Sequence, residues 1–230
     1  MTRATHAMPR FPNPGTPAPA YHPADEFLLD YAAGTASPTE TLLLATHLAY
    51  CDRCRKAVKA ARTVGGTLLD TLEPARLPPN MLNRTLAAID AGIQDDPAPP
   101  PPPPLSTFLA RQMAATDWKR LPNGFRMRRV SAGRGTDEKD GGRAWLFDSP
   151  PGLTLLPHRH VGDEWTVILS GVFHDGDRTY RVGDFGLRED GETHQPSIGA
   201  GERCVSLIMV RESPKYTTTV GRLAAPFIRL

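Results

Sequence analysis

The stretch His47-Leu-Ala-Tyr-Cys51-Asp-Arg-Cys54 constrains this chain more than any other, because it sets an imidazole and two thiols at steps of four and three. Residues so spaced share one face of a helix, where they can close on a single ion. The fourth candidate is His22, in Tyr21-His22-Pro23 just ahead of the apolar run Phe27-Leu28-Leu29. Two His and two Cys fill the tetrahedral shell of a structural zinc and leave no open position. A CxxC pair is also the mark of a redox dithiol, but that reading calls for a βαβ surrounding, and the flanking sequence here is helical. For His22 the plainer reading is a capping or surface residue near a helix start.

Helical patterning extends over residues 21–93. Phe27, Leu28 and Tyr31 form one stripe, which Gly34 is placed to end. Ser37-Pro38-Thr39-Glu40 is a capping box with proline at the first helical position, and it opens a second helix through Leu42, Leu43 and Leu44 to about His47. The CxxC pair starts a third through Val58, Ala61 and Val64, which Gly65-Gly66 is expected to loosen. Asn80 can cap a fourth, with Leu82, Leu86 and Ile89 at near-helical spacing and Gly92 at its end. The pattern predicts a small four-helix unit, of a size that gains from a metal staple. Prolines 74, 78 and 79 set the fourth helix apart, so its apolar face needs a surface that a partner protein can supply.

The chain has 230 residues, enough for two domains each able to bury a core, and 24 prolines, about twice the usual share. Pro99 to Pro104 is an unbroken run that reads as a polyproline II spacer. The expected division is a flexible tail over 1–20, a helical domain over 21–93, a proline-rich linker over 94–107 and a second domain over 108–230. A net charge of +2 argues against direct nucleic-acid binding or an anionic membrane surface. No window approaches the roughly 18 apolar residues of a membrane span, and the N-terminus lacks the apolar core of an export signal. Three cysteines cannot build a disulfide framework, and thiolate ligands favour a reducing compartment, so the cytoplasm is expected.

Beyond residue 108 the pattern becomes that of short strands between Gly, Asp and Pro turns, which predicts an antiparallel sandwich or barrel. Here lies a second constellation: His158-Arg-His160, Glu164 four residues further on, bracketing Gly152 and Gly171, and later Gly183, Gly191 and His194. Residues two apart on a strand point the same way, so His158 and His160 both face the interior. Glu164 and His194 can complete three nitrogens and one carboxylate around zinc, iron, manganese or nickel, with positions left open. The alternative is a set of surface histidines on a loop.

These residues resemble the cupin family, which implies a jelly-roll barrel. The first cupin motif is matched at every defining position; the second departs where the family often has Pro and this chain has Glu189, and where it often has Asn and this chain has Ile198. A His...HxxxCxxC helical unit followed by a cupin is similar to the zinc-containing anti-sigma factors of the ChrR type. That resemblance covers nearly everything from Tyr21 to Leu230. It implies an α+β chain of two domains that binds and inhibits an extracytoplasmic-function sigma factor, with zinc on His22, His47, Cys51 and Cys54. It also implies a second metal, usually zinc, on His158, His160, Glu164 and His194, and release of the sigma factor on singlet oxygen or a related oxidant. Cys204, on a late strand, is a candidate oxidant target or merely a small apolar side chain. The competing class is a metal-dependent cupin dioxygenase or isomerase with a helical zinc appendage, but no pattern specifies a substrate. A DNA-binding zinc module would need a basic recognition helix, which is not seen.

Overall fold

The computed structural model describes residues 17–91, 104–131 and 142–228. The expected N-terminal tail and polyproline run lie almost wholly outside these.

The first helix, α1 (Asp25–Ala33), ends where expected: Gly34 adopts φ 76°, open to glycine but costly for other residues. The capping box forms as read, with Glu40 N–H donating to Ser37 Oγ at 3.2 Å and Ser37 N–H donating to Glu40 Oε2 at 2.9 Å. It opens α2 (Pro38–Tyr50), which runs three residues past His47. Leu42, Leu43, Leu44, Thr46, His47 and Leu48 are all buried, so α2 is covered on more than one face. Cys51 closes α2 and caps α3 (Asp52–Asp70). The expected loosening at Gly65-Gly66 does not occur. Both glycines stay helical on an exposed surface, where each costs only about 1 kcal/mol against alanine. From Val64 onward α3 buries nothing, and α4 (Met81–Asp90) has no buried residue at all.

After α5 (Leu105–Ala114) come the strands β1 (Lys119–Arg120), β2 (Arg126–Val130), β3 (Arg143–Ser149), β4 (His158–Arg159), β5 (Glu164–Ser170), β6 (Phe173–Asp175), β7 (Arg178–Tyr180), β8 (Phe185–Arg188), β9 (Thr193–His194), β10 (Ser197–Ile198), β11 (Cys204–Val210) and β12 (Lys215–Tyr216), then α6 (Thr219–Ala224). One sheet has the order β1-β2-β3-β11-β5-β8, and two smaller ones run β10-β6-β7 and β12-β4-β9, all antiparallel. Residues 193–198 carry two short strands, β9 and β10, with Pro196, which has no N–H to donate, between them.

Alternation along β5 sends Thr166 and Ile168 toward the small sheets and Trp165, Val167 and Leu169 the other way. The second set joins a single core cluster with Leu42, Leu43, Leu44, Leu48 and Val58 of the helices. The large sheet is therefore buried on both faces, and the helical unit closes its core on the barrel, which also holds two apolar clusters of its own. Phe27 lies 4.5 Å from Trp165, ring to ring. Arg211, just past β11, donates to Glu40 Oε1 at 2.7 Å, so the carboxylate that caps α2 also pins it to the barrel.

Candidate metal centres

The helical centre is built at the junction of α2 and α3. The donor atoms of His22, His47, Cys51 and Cys54 all lie within 4.8 Å of one another, and only His22 is not fully buried. His47 Nε2 is 3.3 Å from Cys54 Sγ, and His22 Nδ1 is 3.3 Å from Cys51 Sγ and 3.5 Å from Cys54 Sγ. Zinc bonds of about 2.3 Å to sulfur and about 2.0–2.1 Å to nitrogen, at tetrahedral angles, give N···S edges of about 3.5 Å. The donor set and its edges fit zinc, with all four positions taken by protein.

Its electrostatics point the same way. His47 is pulled down to about 4, mainly by burial, so its ring is neutral at pH 7. Its Nδ1 lies 2.7 Å from the Gly183 carbonyl, which can only accept, so the proton sits on Nδ1 and the Nε2 lone pair faces the thiols. Burial, and then the adjoining Cys51 thiol, push Cys54 up to about 12. Two thiolates this close need a cation to form at neutral pH, and metal binding displaces those protons. The free N–H of Cys54 at the start of α3 donates to Cys51 Sγ at 3.3 Å and fixes the sulfur at the helix start.

In the barrel, β4 pairs with β9 so that His158 stands opposite His194. His160 follows β4 and is fixed by its N–H to Glu192 O at 2.9 Å and by Gly191 N–H to its carbonyl at 3.2 Å. His158, His160 and His194 form the second group of converging donors, with His194 Nε2 at 2.9 Å from both His158 Nε2 and His160 Nε2. Nδ1 of His158 donates to Leu156 O at 2.8 Å, and Nδ1 of His194 donates to Asp175 Oδ2 at 2.9 Å. In the neutral rings both Nε2 lone pairs are thus aimed at one point, a repulsive arrangement that a cation relieves. Metal–nitrogen bonds of about 2.1 Å at right angles separate nitrogens by about 3.0 Å, whereas tetrahedral angles need about 3.4 Å. The two spacings through His194 match the shorter value, which fits a five- or six-coordinate ion with positions left open.

Glu164 sits beside this group with Oε2 3.8 Å from His160 Nδ1, outside the three converging donors. Burial pushes it up to about 7. It lines a cavity of about 10 Å³ together with Thr166, Phe173, Asp175, Arg188 and His194, room for about one water. His158 is drawn down to about 4 and His160 to about 3, burial again being the main cause. Sequence reasoning missed Asp175 and Arg188. Burial pushes Asp175 up, but its hydrogen bond from His194 and its contacts with Arg188, at 2.6 Å, outweigh that and hold it low. In the sequence Asp175 belongs to a hairpin turn, and turn chemistry explains an aspartate there without further role. Cys204 is 1% exposed in an apolar cluster with Ile168, Phe173, Tyr180 and Ile198, and burial pushes it up to about 12, so it has little thiolate character.

Comparison with known proteins gives two family matches: residues 107–214 to the "ChrR Cupin-like domain" and residues 23–55 to a "Putative zinc-finger". The anti-sigma-E factor ChrR of Cereibacter sphaeroides is 31% identical over 215 residues, which span 91% of this chain and 98% of that protein. Among solved structures, the complex of Rhodobacter sphaeroides SigE with the anti-sigma ChrR contains a chain that matches with a TM-score of 0.68 at 32% identity, over 83% of this chain and 98% of that one.

Proposed function

Because this chain belongs to the ChrR family of anti-sigma factors, we propose that its helical part, residues 21–93, captures an extracytoplasmic-function sigma factor and that the barrel releases it on an oxidative signal. The chain is a regulator and not an enzyme, and its partner is a sigma factor. On this reading zinc, held by His22, His47, Cys51 and Cys54, supplies the staple that keeps α1, α2 and α3 in register. A second metal, held by His158, His160 and His194 with Glu164 beside them, lies where a small oxidant such as singlet oxygen acts. The zinc thiolates agree with a cytoplasmic location, and no helix among the described residues is long and apolar enough to cross a membrane.

The observation that carries capture is the state of α4. Leu82 is 69% exposed, Leu86 50% and Ile89 62%, and Leu68, Leu69 and Leu72 at the end of α3 are as open. Apolar stripes of this kind mark an interaction surface. Kinship with an anti-sigma factor over 91% of this chain supports a regulator over the competing cupin enzyme.

The test is co-purification with candidate extracytoplasmic-function sigma factors, before and after illumination with a singlet-oxygen sensitiser. The parent should hold the sigma factor and lose it on illumination. His158→Ala with His160→Ala should hold it and fail to release it. A double variant that releases normally would remove the barrel centre from the response, and one that never binds would make the barrel a structural support for capture.

A further inference from the structure

The four donors of the helical centre do not all take their positions from helices. His22 precedes α1. The backbone leading into it is tied to the turn that joins β7 to β8. There the carboxylate of Asp184, 2% exposed, accepts three backbone N–H groups: Ala20 at 2.6 Å and Tyr21 at 3.1 Å on Oδ1, and Arg181 of its own turn at 2.7 Å on Oδ2. Phe185 N–H donates to Tyr21 O at 3.1 Å, and the Tyr21 ring lies 4.6 Å from that of Tyr180.

The same turn reaches a second donor residue. Gly183 O accepts the Nδ1–H of His47, which fixes the tautomer that frees Nε2. Gly183 stands at φ 88°, and an added Cβ would come within 2.6 Å of Tyr50 Cβ and 2.9 Å of Pro19 Cγ. Only glycine lets the turn come this close to α2.

We propose that the β7–β8 turn of the barrel is the outer support of the helical zinc centre, with Asp184 as the positioning residue for His22, so that the barrel sets how tightly the helices hold their metal. This rests on the reading that His22, His47, Cys51 and Cys54 hold zinc. From the turn, β8 runs on to Arg188, which grips Asp175, the partner of His194. Phe185 and Leu187 of that strand pack in the core shared with the helices, while Gly186 and Arg188 alternate toward the barrel cavity. One short strand therefore touches the supports of both donor sets, and binding free energies linked through it must be reciprocal.

The test uses the full-length chain loaded with zinc, a chromogenic chelator to follow release, and a thiol reagent to follow Cys51 and Cys54. Removing the orienting partner of a ligand typically weakens metal binding ten- to a hundredfold. Asp184→Ala should release the helical zinc faster by such a factor and expose the thiols in step, with barrel metal content unchanged. Asp184→Asn, which keeps an acceptor oxygen for Ala20 and Tyr21, should recover much of the grip. Ala20→Pro removes one N–H from the other side without touching the barrel, and it should also speed release, which keeps the test decisive if the alanine variant melts early. Release rates within twofold of the parent in both Asp184→Ala and Ala20→Pro would overturn the proposal. A parent with no zinc that depends on Cys51 and Cys54 would instead refute the reading beneath it, and the parent measurement alone tells the two failures apart.

Discussion

Leu44 and Leu82 carry the same side chain on neighbouring parts of the helical unit, yet truncating each to alanine should have opposite consequences. Leu44 is 0% exposed in the cluster that also holds Trp165, Val167, Leu207 and Met209; Leu82 is 69% exposed on α4. Removing three buried carbons forfeits roughly 0.8 kcal/mol each in transfer free energy, and the cavity left behind raises the total to about 3–4 kcal/mol. Truncation at an exposed position away from any special feature stays within about 0.5 kcal/mol. The assay is urea unfolding of the full chain, read by far-ultraviolet dichroism for the helices and by the environment of Trp165, 1% exposed at the helix–sheet junction, and of Trp145 on β3. Leu44→Ala should shift both signals together, since one core joins helices and sheet. Leu82→Ala should leave unfolding alone while weakening capture of the sigma factor by about five- to thirtyfold, the range of a buried interface anchor. A helical signal that moves while the tryptophan signals stay fixed would refute the shared core, and a Leu82→Ala variant as unstable as Leu44→Ala would refute the free face of α4.

Two further outcomes follow from the site electrostatics. In metal-free protein, burial holds His47 at about 4 and His158 at about 4, against 6.5 in an open chain, so between those values the unfolded state binds protons that the folded state does not. Stability is then complete above about pH 6.5 and drains as pH falls, approaching about 3 kcal/mol for His47 by pH 4. Glu164, raised to about 7, acts in the opposite sense, so Glu164→Gln should steepen the loss; urea midpoints of the stripped chain at pH 7, 6 and 5 measure it, and a flat profile contradicts it. Asp175→Asn removes the charge that orients His194 and pairs with Arg188. Barrel metal affinity should fall ten- to a hundredfold, and equal affinity in a chelator competition would dismiss the role of Asp175.

Much of this architecture was legible because it is local. HxxxCxxC declares a shared helix face, Ser37-Pro38-Thr39-Glu40 declares a helix start, and HxH declares a strand face, each within a handful of residues. What the sequence concealed is long-range. Nothing near Asp184 signals that its carboxylate meets Ala20 and Tyr21, more than 160 positions away. One sign was present but unread. The run Trp165-Thr-Val-Ile-Leu169 is nearly all apolar where a sheet with one wet face would alternate, so β5 already implied a cover on both sides. The helices supply that cover, although the proline run by itself argues for two separate units.

The shared core bears on how a signal in the barrel can reach the helices at all. Two units joined only by a polyproline spacer would have no means of passing a change in one to the other, since coupling needs contiguous packing or a common two-state element. Here α2 is pressed against β5 and β11, Glu40 is held by Arg211, and the β7–β8 turn touches both His47 and the backbone before His22. On the proposed function, an event at His194 that loosened its hold on Asp175 would also loosen Arg188, and with it the end of the strand whose outward residues, Phe185 and Leu187, lie against the helices. Close-packed cores do not deform smoothly, so a displaced β8 favours a second packing of α1 and α2 over a gradual drift. On the proposed function, the sigma factor would be released through that repacking of the helical unit.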